Sequence, residues 1–211
     1  MIKEFEKRLL SSIILVPISI FFIFKGSIFF VFFLSILFLA TSYEWVKMIK
    51  KNDLVKFFGV ICLFLSFYTA FEIRQNFNFK DFLFIITVCI FTDIGGYIFG
   101  KTFNGPKLTR ISPKKTYAGV FGGFLLSLVA GLIFNHYLAI NEEIFKDDLI
   151  LFMLILFISL VSQIGDLIIS FFKRKAKIKD TGKIIPGHGG LLDRIDGMIF
   201  VFPICYLIII L

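Results

Sequence analysis

The chain has 211 residues, of which 58% are hydrophobic and 31 are phenylalanine, and its formal net charge is +8. This composition excludes an ordinary soluble globular protein, because the apolar residues occur in long runs that short charged segments separate. The three cysteines lie singly inside apolar runs without CxxC spacing, which favours packing roles over metal ligation or disulfide bonds.

Seven hydrophobic segments follow one another along the chain. We therefore predict an all-α, polytopic transmembrane helical protein with about seven spans. The predicted spans are 9–24, 28–46, 56–71, 82–100, 117–139, 149–172 and 191–211. Basic residues precede the first span as they would in a signal peptide, but no small-residue cleavage site follows it. We expect this span to be retained.

Most of the 23 Lys and Arg residues fall in alternate connections between the predicted spans. By the positive-inside rule, this asymmetry predicts a cytoplasmic N-terminus and a C-terminus on the opposite side of the membrane. The basic excess is thereby explained as a topology signal, and no nucleic-acid partner is required.

Neither an internal repeat nor a linker divides the sequence, so residues 1–211 are predicted to form a single integral-membrane domain. Within it, 1–80 holds three N-terminal helices and 81–211 holds four catalytic helices. The long cytoplasmic loops 101–116 and 173–190 are the places where soluble chemistry could occur.

Asp93 and Asp166 lie inside apolar predicted spans. A charge there costs about 2.5–3.5 kcal/mol on insertion scales, so such residues usually have a function. Both lie roughly 10–12 Å below the cytoplasmic ends of their helices, at about 1.5 Å rise per residue. This similar depth predicts one shared polar cavity, although two separate interhelical hydrogen bonds remain an alternative.

Helical spacing places several polar residues of the sixth span on one face. They are Ser159, Ser162, Asp166, Ser170 and Lys173. Serines alone would be typical of helix packing, whereas a stripe that also carries Asp and ends in Lys indicates a site. On the fourth span, Gly96 and Gly100 are spaced for close approach of another helix, which would bring Asp93 toward that neighbour.

The longest polar run, 170–196, contains seven basic residues, three carboxylates and a glycine-rich turn around His188. Basic groups mixed with carboxylates indicate phosphate oxygens handled together with a divalent cation, for which Mg²⁺ is the favoured ion. Asp193 and Asp196 are three residues apart in the last predicted helix and should therefore project to one side.

The segment 111–116, Ile-Ser-Pro-Lys-Lys-Thr, precedes the fifth predicted span. Ser112 and Thr116 are suitable helix caps, and the amides of a helix N-terminus favour anions. A plain helix entry with positive-inside lysines explains the pattern equally well. No Ser-His-Asp set or P-loop occurs, which argues against a covalent hydrolase and a P-loop enzyme.

The run from Ser170 to Asp196 reads S-x-x-K-R-x-x-x-x-K-D-x-G-x-x-x-P-G-H-G-G-x-x-D-R-x-D. It resembles the signature of phosphatidate cytidylyltransferases, also called CDP-diacylglycerol synthases. Two further stretches are similar to that family, from Thr92 to Gly119 and from Ser162 to Leu167, so the resemblance covers about the C-terminal half. It implies transfer of CMP from CTP to phosphatidic acid, which gives CDP-diacylglycerol and pyrophosphate.

The resemblance also implies roles for individual residues. Asp166 and Asp193 would hold catalytic Mg²⁺ with Asp196 nearby, and a dinuclear centre that includes K⁺ is left open. Phosphates would be bound by Lys173, Arg174, His188 and Arg194, with help from Ser112, Lys114, Lys115 and Thr116. The remaining substrate-binding candidates are Asp93, Ser170, Lys179 and Asp180.

For the whole protein, the resemblance implies a bacterial inner membrane, an active site facing the cytoplasm, and an assembly for which a homodimer is open. Three alternatives remain: activation of another lipid phosphate such as an ether lipid or isoprenoid phosphate, transport, and an inactive scaffold. Ion-coupled transport would predict polar residues in both membrane halves, whereas all the candidates lie toward the cytoplasmic side.

Overall fold

A computed structural model describes residues 2–77, 79–103, 105–109, 112, 115–138, 147–187 and 189–210; within the first helix, the side chains of 2–5, 7–9 and 12 are not described. In these ranges the secondary structure is helical, with two isolated antiparallel bridges in loops. The helices are α1 (Ile2–Lys25), α2 (Ser27–Met48), α3 (Asp53–Asn76), α4 (Phe79–Phe103), α5 (Tyr117–Leu138), α6 (Asp148–Lys175), α7 (Leu192–Ile195) and α8 (Met198–Ile210). The all-α prediction is confirmed.

Five helices, α2 to α6, are long and apolar enough to cross a membrane. Their positions agree with the second to sixth predicted spans. In α1 the stretch whose side chains are all described, Ile13–Lys25, is also apolar. The fold is therefore that of a polytopic helical membrane protein.

The last predicted span, 191–211, is wrong as a single helix. The short α7 ends at Ile195, a turn follows at Asp196 and Gly197, and α8 has 13 residues, about 20 Å at 1.5 Å per residue. Asp196 Oδ1 accepts a hydrogen bond from the Gly197 N–H at 3.0 Å, a local bond that competes with helix formation. A side chain at Gly197 would collide with Ser162, so this turn also needs glycine.

The chain packs as two compact units, and each is described on its own. The first consists of Met1–Phe71 and Phe172–Ile195, and the second of Glu72–Phe171 and Asp196–Leu211. The boundary falls within α3 and within α6.

In the first unit, one face of α2 is buried at helical spacing: Thr41, Glu44, Trp45 and Met48. Trp45 Nε1–H lies within hydrogen-bond distance of the Val55 and Lys56 carbonyls, 3.3 and 3.2 Å, which fixes the connection from α2 to α3. The same indole packs edge-to-face on Phe172, with ring centroids 5.0 Å apart. The contact between Trp45 and Phe172 thus joins the end of α2 to the end of α6.

In the second unit, α4 and α5 pack backbone to backbone through glycines. A Cβ on Gly95 would overlap the Gly122 carbonyl, and one on Gly119 would lie 2.8 Å from the Gly96 carbonyl oxygen. Gly100 faces Thr116 and Gly119 in the same way. The predicted close approach at Gly96 and Gly100 is confirmed, and the partner is α5.

Candidate active site

The last turn of α6 directs the chain into the polar loop. Lys177 adopts a left-handed conformation with φ of 59°, and its N–H donates to the Arg174 carbonyl at 3.0 Å. The Ile178 N–H donates to the Lys173 carbonyl at 3.0 Å. These two bonds form a Schellman motif, which satisfies helix-end carbonyls and stops the helix at a fixed point. Lys173 is therefore held in the final turn of a well-defined helix.

Asp193, in α7, is the centre of the first polar cluster. Its Oδ1 accepts a hydrogen bond from Lys173 Nζ at 2.8 Å, and the two side chains are only 7% and 11% exposed. Its Oδ2 lies 2.8 Å from the Thr181 N–H, 3.1 Å from the Thr181 hydroxyl and 3.1 Å from the Gly190 N–H. This carboxylate ties the end of α6, the loop and α7 together.

The turn at 186–190 is stabilised by backbone conformations that suit glycine. Gly187 and Gly189 have φ of 77° and 92°, and the Ile185 N–H donates to the Gly189 carbonyl at 3.0 Å. The Ser11 hydroxyl of α1 donates to the Pro186 carbonyl at 3.1 Å. His188 lies outside the described residues, so its phosphate-binding role stays a prediction.

Asp166, on α6, forms the second polar cluster. Its Oδ2 lies 2.6 Å from Lys115 Nζ, and its Oδ1 accepts a hydrogen bond from the Ser170 hydroxyl at 3.2 Å. Lys115 Nζ also lies 3.4 Å from the Gln163 carbonyl. The two charged side chains are about a quarter exposed.

A small hairpin before α5 places Lys115. The Leu108 N–H donates to the Lys115 carbonyl at 2.8 Å, and the Tyr117 N–H donates to the Pro106 carbonyl at 3.1 Å. Thr116 then caps α5, because its hydroxyl accepts the Gly119 N–H at 3.1 Å. The predicted cap at Thr116 is confirmed.

The predicted cap at Ser112 is wrong, since this residue lies outside α5. Its backbone forms a turn in which the Ser112 carbonyl accepts the Lys115 N–H at 3.0 Å, and its own N–H donates to Thr109 Oγ1 at 3.2 Å. Lys114 lies outside the described residues.

The polar stripe predicted on α6 faces the protein interior. Ser159 and Ser162 are 0% and 1% exposed, and Ser170 and Lys173 are 7% and 9% exposed. The Thr92 hydroxyl of α4 lies 2.9 Å from Ser159 Oγ. Ser159 and Ser162 therefore contribute to helix packing, whereas the part of the stripe that begins at Asp166 carries the charged groups.

Several other predicted site residues are exposed. They are Asp93 on α4, together with Arg174, Lys179, Asp180 and Arg194. Asp196 is 8% exposed and lies in the turn before α8, so the continuous helix that was predicted to carry both Asp193 and Asp196 is wrong. Asp166 belongs to the second unit and Asp193 to the first, and their convergence stays a prediction.

Glu44 is a site residue that sequence reasoning missed. It is 1% exposed, and its carboxylate accepts hydrogen bonds from the Thr181 hydroxyl and from the N–H groups of Leu191 and Leu192. The sequence did contain an indication of its importance. Glu44 is an acidic residue near the end of a predicted span, and a charge inside a span is costly there, as it is at Asp93.

The donor set was tested for a metal site. Within the described ranges, no group of three or more His, Cys, Asp or Glu side chains could hold a metal ion. Asp166 and Asp193 instead each contact a lysine ammonium, at 2.6 and 2.8 Å. A carboxylate of this kind fits Mg²⁺ that is held largely by substrate phosphates.

These features define a class: a helical membrane protein with two lysine–aspartate clusters at the polar ends of apolar helices. A sequence model of the cytidylyltransferase family matches residues 54–211, and the chain belongs to this family. It is 36% identical to a phosphatidate cytidylyltransferase of Rickettsia bellii, over 95% of this chain and 89% of the relative. A relative of the same name from Rickettsia felis is 35% identical over 97% of this chain and 92% of its own length. The relative from Staphylococcus epidermidis is 34% identical over 82% of this chain and 66% of its own length.

Proposed function

We propose that the protein transfers CMP from CTP to phosphatidic acid, giving CDP-diacylglycerol and pyrophosphate for phospholipid biosynthesis. The observation that carries this proposal is the pairing of Asp166 with Lys115 and of Asp193 with Lys173. Ammonium groups bind phosphate oxygens, and the apolar helices give access to a lipid substrate. The named relatives support the same substrates, because their identity extends over nearly the whole chain.

The reaction is a substitution at phosphorus. An oxygen of the phosphatidate phosphate forms a bond to the α-phosphorus of CTP, and the bond from that phosphorus to the bridging oxygen of pyrophosphate breaks. The bonding electrons leave with pyrophosphate. A phosphate monoester is largely ionised near neutral pH, so no strong general base is required. Orientation and charge stabilisation then supply most of the catalysis.

The chain's own residues mainly stabilise the charge on the phosphates and hold the reacting groups in position. Lys115 and Lys173 donate hydrogen bonds to phosphate oxygens and oppose the negative charge that builds up on the leaving pyrophosphate. The Ser170 hydroxyl keeps the Asp166 carboxylate turned toward Lys115. Asp166 and Asp193 are the residues that would hold Mg²⁺, which screens charge between the two phosphate-bearing substrates when it is bound.

Asp166→Asn is expected to lower CTP- and Mg²⁺-dependent CDP-lipid formation in purified membranes by about 100-fold or more, because the carboxylate that pairs with Lys115 and would hold Mg²⁺ is lost. The variant should fold normally, since the Lys115–Asp166 pair is partly exposed. Asp53→Asn is a matched control: Asp53 also contacts a lysine, Lys56, but its side chain is 93% exposed. Normal turnover in the Asp166 variant would contradict its assigned role.

Labelled CTP supplied with phosphatidic acid and Mg²⁺ is expected to yield labelled CDP-diacylglycerol from the purified protein. Ether-linked phosphatidate and an isoprenoid phosphate serve as competitors at equal concentration. Preferential labelling of the diacyl lipid supports the proposal. If the isoprenoid phosphate were labelled instead, the protein would be a cytidylyltransferase for another lipid.

We further propose seven membrane crossings in a bacterial inner membrane, with the N-terminus and the active site in the cytoplasm. The distribution of Lys and Arg supports this topology. The short α8 would complete the last crossing together with the segment before it. The assembly proposed from the family is a homodimer, which light scattering on the detergent-solubilised protein can measure.

A further inference from the structure

Glu44 has surroundings that helix packing alone does not explain. It lies on the buried face of α2 and is 1% exposed, yet its hydrogen-bond donors all come from a segment about 140 residues away in sequence. Oε2 accepts hydrogen bonds from the Thr181 hydroxyl at 3.0 Å and from the Leu192 N–H at 2.9 Å. Oε1 accepts the Leu191 N–H at 3.1 Å. Both oxygens act as acceptors, which an ionised carboxylate does.

Two glycines of the loop let it close directly over this carboxylate. A side chain on Gly182 would collide with Glu44 Oε1. A Cβ on Gly190 would lie 2.6 Å from Glu44 Oε2 and would also overlap the Thr181 hydroxyl. Glycine at both positions therefore leaves room for the Glu44 carboxylate.

Thr181 links Glu44 to Asp193. Its hydroxyl lies 3.0 Å from Glu44 Oε2 and 3.1 Å from Asp193 Oδ2, and its backbone N–H donates to Asp193 Oδ2 at 2.8 Å. A hydroxyl carries one proton and donates it to one acceptor at a time. Asp193 Oδ2 already accepts hydrogen bonds from two N–H groups. We therefore assign the proton of the Thr181 hydroxyl to Glu44 Oε2.

We propose that Glu44 is a positioning residue for the reaction, one that holds Thr181 and the start of α7 so that Asp193 stays paired with Lys173. This inference rests on the proposed function, because Asp193 and Lys173 are the groups that act on phosphate there. Glu44 does not touch substrate; it acts through the segment that it binds. Mutation of a residue that orients a functional carboxylate typically lowers metal affinity or activity by about 10–100-fold.

The decisive variant is Glu44→Gln, which keeps the shape but places an NH₂ group among three N–H and O–H donors. We expect the Mg²⁺ concentration for half-maximal activity to rise about 10-fold or more. We also expect faster tryptic cleavage of the loop, which carries exposed Lys177, Lys179 and Lys183. Glu72→Gln is the matched control, because Glu72 lies near the end of α3 and its carboxylate accepts a bond from the neighbouring Asn76.

A second pair of variants keeps the inference testable if Glu44→Gln does not fold. Thr181→Val removes the hydroxyl at nearly constant shape and should reproduce both effects, and Thr181→Ser should restore most of what is lost. Equal Mg²⁺ dependence and equal cleavage in Glu44→Gln and wild type would overturn the positioning role. Cleavage does not need turnover, so it reports on Glu44 even if the wild-type protein forms no CDP-lipid and the proposed function fails.

Discussion

Asp193→Asn is expected to bring CDP-lipid formation down to background and to destabilise the protein. The amide cannot accept from all three donors that this carboxylate serves, which are the Thr181 N–H, the Gly190 N–H and the Lys173 ammonium, 2.8 Å away. Removing one member of a buried pair leaves the other charge uncompensated, which typically costs about 3–5 kcal/mol. Activity in purified membranes and thermal unfolding in detergent measure the two effects.

The control for this variant is again Asp53→Asn. The Asp53–Lys56 distance is 2.7 Å, almost the same as that of Lys173–Asp193, but the pair lies at the surface. Exposed pairs contribute little to stability. Should both variants lose the same small amount of stability and keep full turnover, the central place given to Asp193 would be refuted.

The second large effect is expected at Gly95, where substitution by Ala should destabilise the packing of α4 on α5. The new Cβ would overlap the Gly122 carbonyl and lie 2.7 Å from its carbon and 3.0 Å from the Gly123 Cα. These are backbone atoms of a helix and cannot move singly. Overpacking of this kind costs about 1–3 kcal/mol, which outweighs the roughly 1 kcal/mol that Ala gains over Gly in a helix.

The neighbouring Gly96 supplies the comparison. A Cβ there has the Gly119 carbonyl oxygen as its nearest neighbour, at 3.7 Å, which is ordinary contact. Gly96→Ala should therefore be neutral or stabilising by up to about 1 kcal/mol. Thermal unfolding followed by circular dichroism in detergent compares the two variants. Stabilisation in both variants would show that α4 and α5 are less closely packed at Gly95 than these contacts indicate.

The long apolar helices could be predicted from the sequence because hydrophobic length is a strong signal. The break at Asp196 and Gly197 could not, because it depends on a local side-chain bond and on contact with Ser162. An apolar run shows where a helix is favourable. It does not show where a side-chain carboxylate will accept a backbone N–H and so interrupt the helix.

The site was predictable to the extent that local patterns defined it. Thr116 caps α5 as predicted, and four members of the stripe predicted on α6 are buried, namely Ser159, Ser162, Ser170 and Lys173. The partners of Asp166 and Asp193 were not predictable, since no pattern relates Lys115 to Asp166, 51 positions later in the sequence. Glu44 could be noticed as an acidic residue inside a predicted span, but its partners could not be predicted, because they come from the far end of the chain.

The lysine–aspartate pairs also bear on the state of the protein before the proposed Mg²⁺ binds. Carboxylates that hold a metal ion normally lose their charge balance when the ion is removed. Here an ammonium already balances Asp166 and another balances Asp193. Folding should therefore not depend on the proposed ion, and we expect a chelator to halt turnover reversibly while leaving the helices assembled.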